Sequence, residues 1–167
     1  MERYQVGRTV NSRHHYRRQT TPSSFTQTTP SGKPANPTIY TQHMGLTAAQ
    51  LDFLAETHLG TLTTIRSDGS PHVVAIAFTY LPEDGTVQII TNDGSRKVRN
   101  LATSDRAAVS QVDGRRWVTL EGPAVVLRDP ASVAKAVDAF TSRYRTPSHN
   151  PDRVAIEITV DRVVGNA

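Results

Sequence analysis

The chain has 167 residues, enough for one domain with a hydrophobic core but few for two. It contains no cysteine, which excludes disulfides and thiolate metal sites and suits a reducing cytoplasm. No apolar run approaches the roughly 18 residues that a membrane span needs, and the first residues lack the apolar segment of a secretory signal. These features together predict a soluble cytoplasmic protein with no membrane partner.

The basic character of the chain is concentrated in residues 1–43. This segment holds six basic residues and one acidic residue, whereas residues 44–167 hold 13 basic and 14 acidic residues. The segment is rich in Thr, Ser and Pro, so it cannot bury enough apolar surface to offset the entropy of ordering. We predict a disordered basic extension over 1–43 and a folded domain over 44–167. The motif "RHHYRR" could contact nucleic acid or an anionic membrane, but a solvated or accessory extension is the favoured interpretation.

The folded domain begins with a helix and continues mainly as strands. Thr47 and Gln50 form a capping box at the start of the helix. Alternating or β-branched patterns between turn sequences predict six strands, at 59–66, 71–81, 86–91, 106–112, 116–127 and 152–165. Two more helices are predicted, one at 95–102 and one that opens with Asp129 and Pro130. Because the links are hairpin-length, we predict a mainly β fold with short helices: a six-stranded antiparallel barrel.

The predicted strand over 71–81 has one face of large side chains and one of small side chains. His72 and Phe78 belong to the large face, whereas Val73, Ala75 and Ala77 belong to the small face. Such a strand is expected to place a core on one side and something packed closely on the other.

The third strand leads into a helix whose start is crowded with cations, in the stretch "SRKVRN". Ser95 is the expected cap, and Arg96, Lys97 and Arg99 follow it. The amino end of a helix carries partial positive charge, so cations are unfavourable there unless an anion lies among them. The pattern predicts a phosphate-binding site. A solvated basic helix without a ligand is the alternative.

The sequence has no self-sufficient catalytic set. The motifs of hydrolases, P-loop proteins and Rossmann dinucleotide sites are missing. His58, His72 and His149 have no helical pairing and no adjacent carboxylate, so we predict no metal site and assign no catalytic residue. The chemistry is therefore expected to belong to a bound cofactor. Trp117 either packs as a structural aromatic or lines the pocket of a planar ligand.

The ordered motifs "DGSPHVV", "SRKVRNL", "QVDGRRWVTLEGPA" and "RYRTP" resemble those of the pyridoxamine 5'-phosphate oxidase-like split β-barrels, over about residues 46–165. Within that superfamily they are most similar to the enzymes that use coenzyme F-420, a deazaflavin, and especially to the F-420-dependent biliverdin reductases. The resemblance implies an FMN-binding-like split barrel and a homodimer with the cofactor at the subunit interface. It also implies hydride transfer from reduced deazaflavin to a conjugated acceptor, with biliverdin reduced to bilirubin.

The same resemblance assigns residues to the expected site. It implies that Ser95, Arg96 and Lys97 hold the cofactor phosphate and that Arg145 binds the substrate. The residues implied to lie along the ring system or near the substrate are Thr63, Thr64, Pro71, Val73, Val74, Ala75, Gln111 and Trp117. Two alternatives stay open: an FMN-binding oxidoreductase with the same barrel, and a flavin- or tetrapyrrole-binding protein without turnover.

Overall fold

The structure is a computed structural model that describes residues 45–167. The disordered extension predicted for 1–43, and the domain start at residue 44, lie outside these residues. The elements in chain order are α1 (Ala48–Ala55), β1 (Gly60–Ile65), β2 (Pro71–Ile76), β3 (Thr79–Leu81), β4 (Thr86–Asn92), α2 (Arg96–Leu101), β5 (Arg106–Asp113), β6 (Arg116–Leu127), α3 (Pro130–Arg143), β7 (Arg153–Thr159) and β8 (Arg162–Gly165). The predicted mainly β, antiparallel class with three short helices is confirmed.

The described residues form eight strands, whereas the sequence predicted six. The predicted strand 71–81 divides at Ala77 and Phe78, and the predicted strand 152–165 divides at Val160 and Asp161. At the first break the Phe78 carbonyl accepts hydrogen bonds from Arg143 and from the Tyr144 hydroxyl. These side chains of the distant α3 region take the place of a strand partner. The break is therefore set by tertiary contacts.

All strand pairs are antiparallel, in the order β2-β1-β5-β6-β7-β4-β3, with β8 paired to β6. The long strand β6 joins the two halves of the barrel, because it pairs with β5 up to Pro123 and with β7 from Ala124 onward. Gly122 lies at this change of partner. A Cβ atom there would lie 1.8 Å from the Thr159 carbonyl oxygen, so only glycine permits the close approach.

Side-chain caps fix the starts of α1 and α3, and small residues let α3 pack closely on the barrel. The predicted capping box of Thr47 and Gln50 is present at α1, and the Asp129 side chain caps α3 as predicted. Val133, Val137, Phe140 and Tyr144 recur at helical spacing in this segment, but none of them is fully buried. The buried residues of α3 are Ala136, Ala139 and Arg143. Small alanines let the helix lie close to the strands, and Thr79 donates a 3.0 Å hydrogen bond to the Ala139 carbonyl.

Candidate functional site

One face of the sheet formed by β1, β2, β5, β6 and β8 is open and carries exposed apolar side chains among threonine, serine and charged ones. The strand register places Val73, Val112, Trp117 and Val164 on this face, which we call the open sheet face. Their exposed fractions are 57%, 62%, 36% and 40%, which is high for large apolar side chains. A cluster of exposed apolar residues on one surface is typical of a binding or subunit interface.

The strand register places the residues expected to lie along a ring system on two opposite faces of the sheet. Five of them share the open sheet face, namely Thr63, Pro71, Val73, Ala75 and Trp117. The strand that carries three of them, β2, is an edge strand paired only with β1 among the described strands. The small face predicted for this strand is thus an exposed face beside a free strand edge.

The other three expected ring residues, Thr64, Val74 and Gln111, point toward the core. Gln111 is fully buried, donates a 2.6 Å hydrogen bond to the Phe53 carbonyl and accepts one of 2.6 Å from Arg143. The nitrogen and the oxygen of its side-chain amide thus each have a hydrogen-bond partner within the subunit. Thr64 is also fully buried and accepts a 2.9 Å hydrogen bond from the Asn100 side chain.

Two cations in the first turn of α2, and one directly after β1, lie near the same residue of β2, His72. Arg66, Arg96 and Lys97, which we call the cationic cluster, have no carboxylate within 4.0 Å among residues 45–167. Arg106, Arg116, Arg128 and Lys135 each form an ion pair in the same part of the chain, whereas Arg115, Arg145 and Arg162, like the cluster, form none. The cationic cluster thus carries positive charge that no ion pair among residues 45–167 offsets.

Lys97 is the least solvated member of the cationic cluster. Its ammonium donates a 3.0 Å hydrogen bond to the Thr91 hydroxyl, and burial lowers the pKa of Lys97. Two features of the predicted phosphate site are corrected. Ser95 occupies the cap position, but its side chain makes no capping hydrogen bond. Arg99 lies in the last turn of this six-residue helix and donates to the Gly94 carbonyl, so it does not belong to the cluster.

His72 is a residue of this region that the sequence analysis missed. It pairs with Thr64 across β1 and β2, and its Nδ1 lies 3.4 Å from the Thr64 hydroxyl. Burial, followed by the positive charges of Arg66, Lys97 and Arg96, lowers the pKa of His72. The residue has no helical partner and no neighbouring acid in the sequence. Its hydrogen-bond partner lies on β1, and charges that act on it lie on α2 and directly after β1.

The prediction that no carboxylate lies beside a histidine is wrong for His58. Its Nε2 lies 3.0 Å from Glu56 and 4.0 Å from Asp113. The ligand atoms of these three residues lie within 4.8 Å of one another, as in a metal site. Arg116, however, donates to both carboxylates at 2.6–2.9 Å. Hydrogen bonds from Arg116 and then His58 lower the pKa of Glu56 to about 2. Glu56, His58 and Asp113 therefore belong to an ion-pair network with Arg116.

The end of α3 holds a buried cation beside an exposed one. Arg143 is 9% exposed and donates to the carbonyls of Glu56 and Phe78 as well as to Gln111. Burial lowers the pKa of Arg143. The expected substrate residue Arg145 is exposed. It lines a groove of about 370 Å³ whose apolar walls are Leu59, Ala77, Phe140 and Tyr144.

The pyridoxamine 5'-phosphate oxidase family matches residues 46–166. An F-420H2-dependent biliverdin reductase of Mycobacterium tuberculosis is 50% identical over 117 residues, which cover 70% of this chain and 85% of that protein. No helix among the described residues is long and apolar enough to cross a membrane.

Solved structures share the fold. A conserved hypothetical protein of Mycobacterium tuberculosis superposes with a TM-score of 0.63 at 26% identity, over 74% of this chain and 86% of that one. A structure described as an F-420 reductase superposes with a TM-score of 0.57 at 24% identity, over 68% of this chain and 94% of that one. The split-barrel architecture is thus shared with these proteins.

Proposed function

Because this chain belongs to the pyridoxamine 5'-phosphate oxidase family, we propose that it is a cytoplasmic reductase dependent on coenzyme F-420. The observation that carries the proposal is the 50% identity to an F-420H2-dependent biliverdin reductase, over 85% of that protein. The proposed acceptor is accordingly a conjugated tetrapyrrole, biliverdin, which is reduced to bilirubin.

The residues present suit a cofactor with an anionic group and a planar ring. The cationic cluster has positive charge without acidic partners, which favours a phosphate group. Val73 and Ala75 are exposed, and their small size leaves room for a ring on the open sheet face. The outer edge of β2 carries backbone groups without a strand partner among the described residues, and these can bond to polar atoms of a heterocycle.

Reduced F-420 supplies a hydride when it is bound, so the protein's task is to position and shield the reactants. Lys97 and Arg96 hold the negative end of the cofactor, and the small side chains of β2 support its ring. Arg145 lies beside an apolar groove and binds a carboxylate of the acceptor. The proton that completes the reduction comes from water held by an arginine or from solvent, and no side chain is assigned to this transfer.

We place a second copy of the chain on the open sheet face. Val73, Val112, Trp117 and Val164 would then leave water together, which the hydrophobic effect favours. A homodimer of this kind also shields the ring-facing side of β2 from solvent.

Titration of the purified protein with oxidised F-420 and, separately, with FMN tests the proposal. We expect the fluorescence of F-420 to change at lower ligand concentration than the fluorescence of FMN. Tighter binding of FMN would contradict the proposal and favour the FMN-dependent alternative. F-420 binding without turnover of any conjugated acceptor would favour a non-catalytic binding protein.

A further inference from the structure

A histidine lies beside the cationic cluster and has no part in the function proposed above. His72 of β2 is half-buried and lies opposite Thr64 of β1. Asn100 of α2 donates a 2.9 Å hydrogen bond to the Thr64 hydroxyl, so β1, β2 and α2 meet at this point. Arg96 and Lys97 precede Asn100 by one helical turn and therefore lie on the same side of α2.

The hydrogen bonds at Thr64 determine which nitrogen of His72 carries the proton. Thr64 is fully buried, and its hydroxyl already accepts from Asn100. The acceptor for the hydroxyl proton among the described residues is Nδ1 of His72, at 3.4 Å. If Nδ1 carried a proton instead, the buried hydroxyl would lose that acceptor, which is costly. Nδ1 therefore accepts, and the neutral ring has its proton on Nε2.

The charges around His72 favour this neutral form. Burial is the largest cause that lowers the pKa of His72, and the cations Arg66, Lys97 and Arg96 follow. The ordinary pKa is 6.5, so the lowered value leaves the imidazole neutral at neutral pH. Nε2 lies on the ring edge away from Thr64 and has no hydrogen-bond partner among residues 45–167. An N–H donor without an acceptor among the described residues thus lies close enough to three cations to feel their charge.

On the basis of the proposed function, we propose that Nε2–H of His72 donates a hydrogen bond to the phosphate group that Arg96 and Lys97 bind. A neutral donor adds a directional contact without adding a fourth positive charge to the cluster. Thr64 and Asn100 are positioning residues, because they hold the ring and its tautomer and do not touch the ligand. Thr64 then serves the cofactor through His72 and not through direct contact with the ring system.

Binding of F-420 to two His72 variants tests the contact. His72→Ala should weaken F-420 binding roughly tenfold, since a hydrogen bond to a charged group is lost. His72→Gln should retain most of the affinity, because the glutamine amide reaches a similar position with an N–H donor. His149→Ala is the matched control and should bind as the wild type does, since His149 is exposed in the loop after α3. Circular dichroism confirms that each variant is folded.

Nitrogen-15 NMR of the labelled protein gives a readout that a merely structural role would not change. We expect the wild-type His72 to show the Nε2–H tautomer at neutral pH, assigned by comparison with His72→Gln. Thr64→Val should mix the two tautomers and weaken F-420 binding. An Nδ1–H tautomer in the wild type would overturn the inference.

The binding results separate the inference from the function on which it rests. If Lys97→Ala weakens F-420 binding while His72→Ala binds as tightly as the wild type, the role of His72 is refuted and the proposed function stands. If the wild type does not bind F-420, both are refuted.

Discussion

Lys97 offers the most direct mutational test of the cationic cluster. Its ammonium has three N–H donors, and one of them bonds to the Thr91 hydroxyl at 3.0 Å. Two donors are therefore left for a ligand. A hydrogen bond to a charged group is worth about 1.5–3 kcal/mol, so Lys97→Ala should raise the Kd for F-420 by about 10- to 150-fold. Fluorescence titration of wild type and variant measures the change.

The stability of the ligand-free protein separates binding from folding. Burial lowers the pKa of Lys97, and no carboxylate among the described residues compensates its charge. Lys97→Ala should therefore leave the free energy of unfolding in urea unchanged or higher. Lys135→Ala is the control, because that lysine pairs with Asp84 on the surface and should not affect F-420 binding. Equal Kd values for Lys97→Ala and wild type would refute the phosphate site.

Three further substitutions test other parts of the account. Arg143→Met should lower the free energy of unfolding by about 1–3 kcal/mol, because it leaves the buried Gln111 side-chain oxygen without its donor and removes one donor from each of the Glu56 and Phe78 carbonyls. Glu56→Gln should make the free energy of unfolding change less with pH in the acid range. The pKa of Glu56 is about 2 in the folded protein against 4.5 normally, so its stabilisation is lost as the pH falls from 4.5 towards 2. Val73→Glu should convert the proposed dimer to a monomer in light scattering, because it would bury a charge in the proposed interface on the open sheet face.

Each of these substitutions has a control or a contrary result. Arg145→Met changes an exposed arginine two residues away from Arg143 and should have little effect on stability. If Glu56→Gln and wild type lose stability in parallel on acidification, the Arg116 network does not set the pKa of Glu56. Val125→Glu places a charge at a 50% exposed residue in the part of β6 that pairs with β7 and no longer with β5, and it should remain dimeric. A dimeric Val73→Glu variant would place the interface elsewhere.

Local signals in the sequence predicted most of the elements. The capping box of Thr47 and Gln50 and the Asp129–Pro130 helix start depend on residues three or fewer positions apart, and both are present. The alternation of strand residues located the sheet and the small exposed face of β2. The same alternation continues across the breaks at Phe78 and Val160, so it could not show where the strands end.

The parts that were missed depend on residues distant in the chain. The β2–β3 break is fixed by Arg143 and Tyr144, which lie more than 60 positions from Phe78. Gln111 is a second example. A polar residue on a strand can contact either a ligand or a buried side chain, and the sequence does not distinguish the two. In the structure Gln111 accepts a hydrogen bond from Arg143. His72 has no short-range motif at all, because its partner Thr64 comes from a neighbouring strand and Thr64 is in turn bonded by Asn100 of a helix.

One turnover measurement tests the central claim most directly. The purified protein is mixed anaerobically with reduced F-420 and biliverdin, and the absorbance of both is followed. The account predicts that oxidised F-420 and bilirubin form in equal amounts, at a rate proportional to protein concentration and strongly reduced in Lys97→Ala. The account is contradicted if neither product forms with reduced F-420 while biliverdin is reduced when reduced FMN is supplied instead.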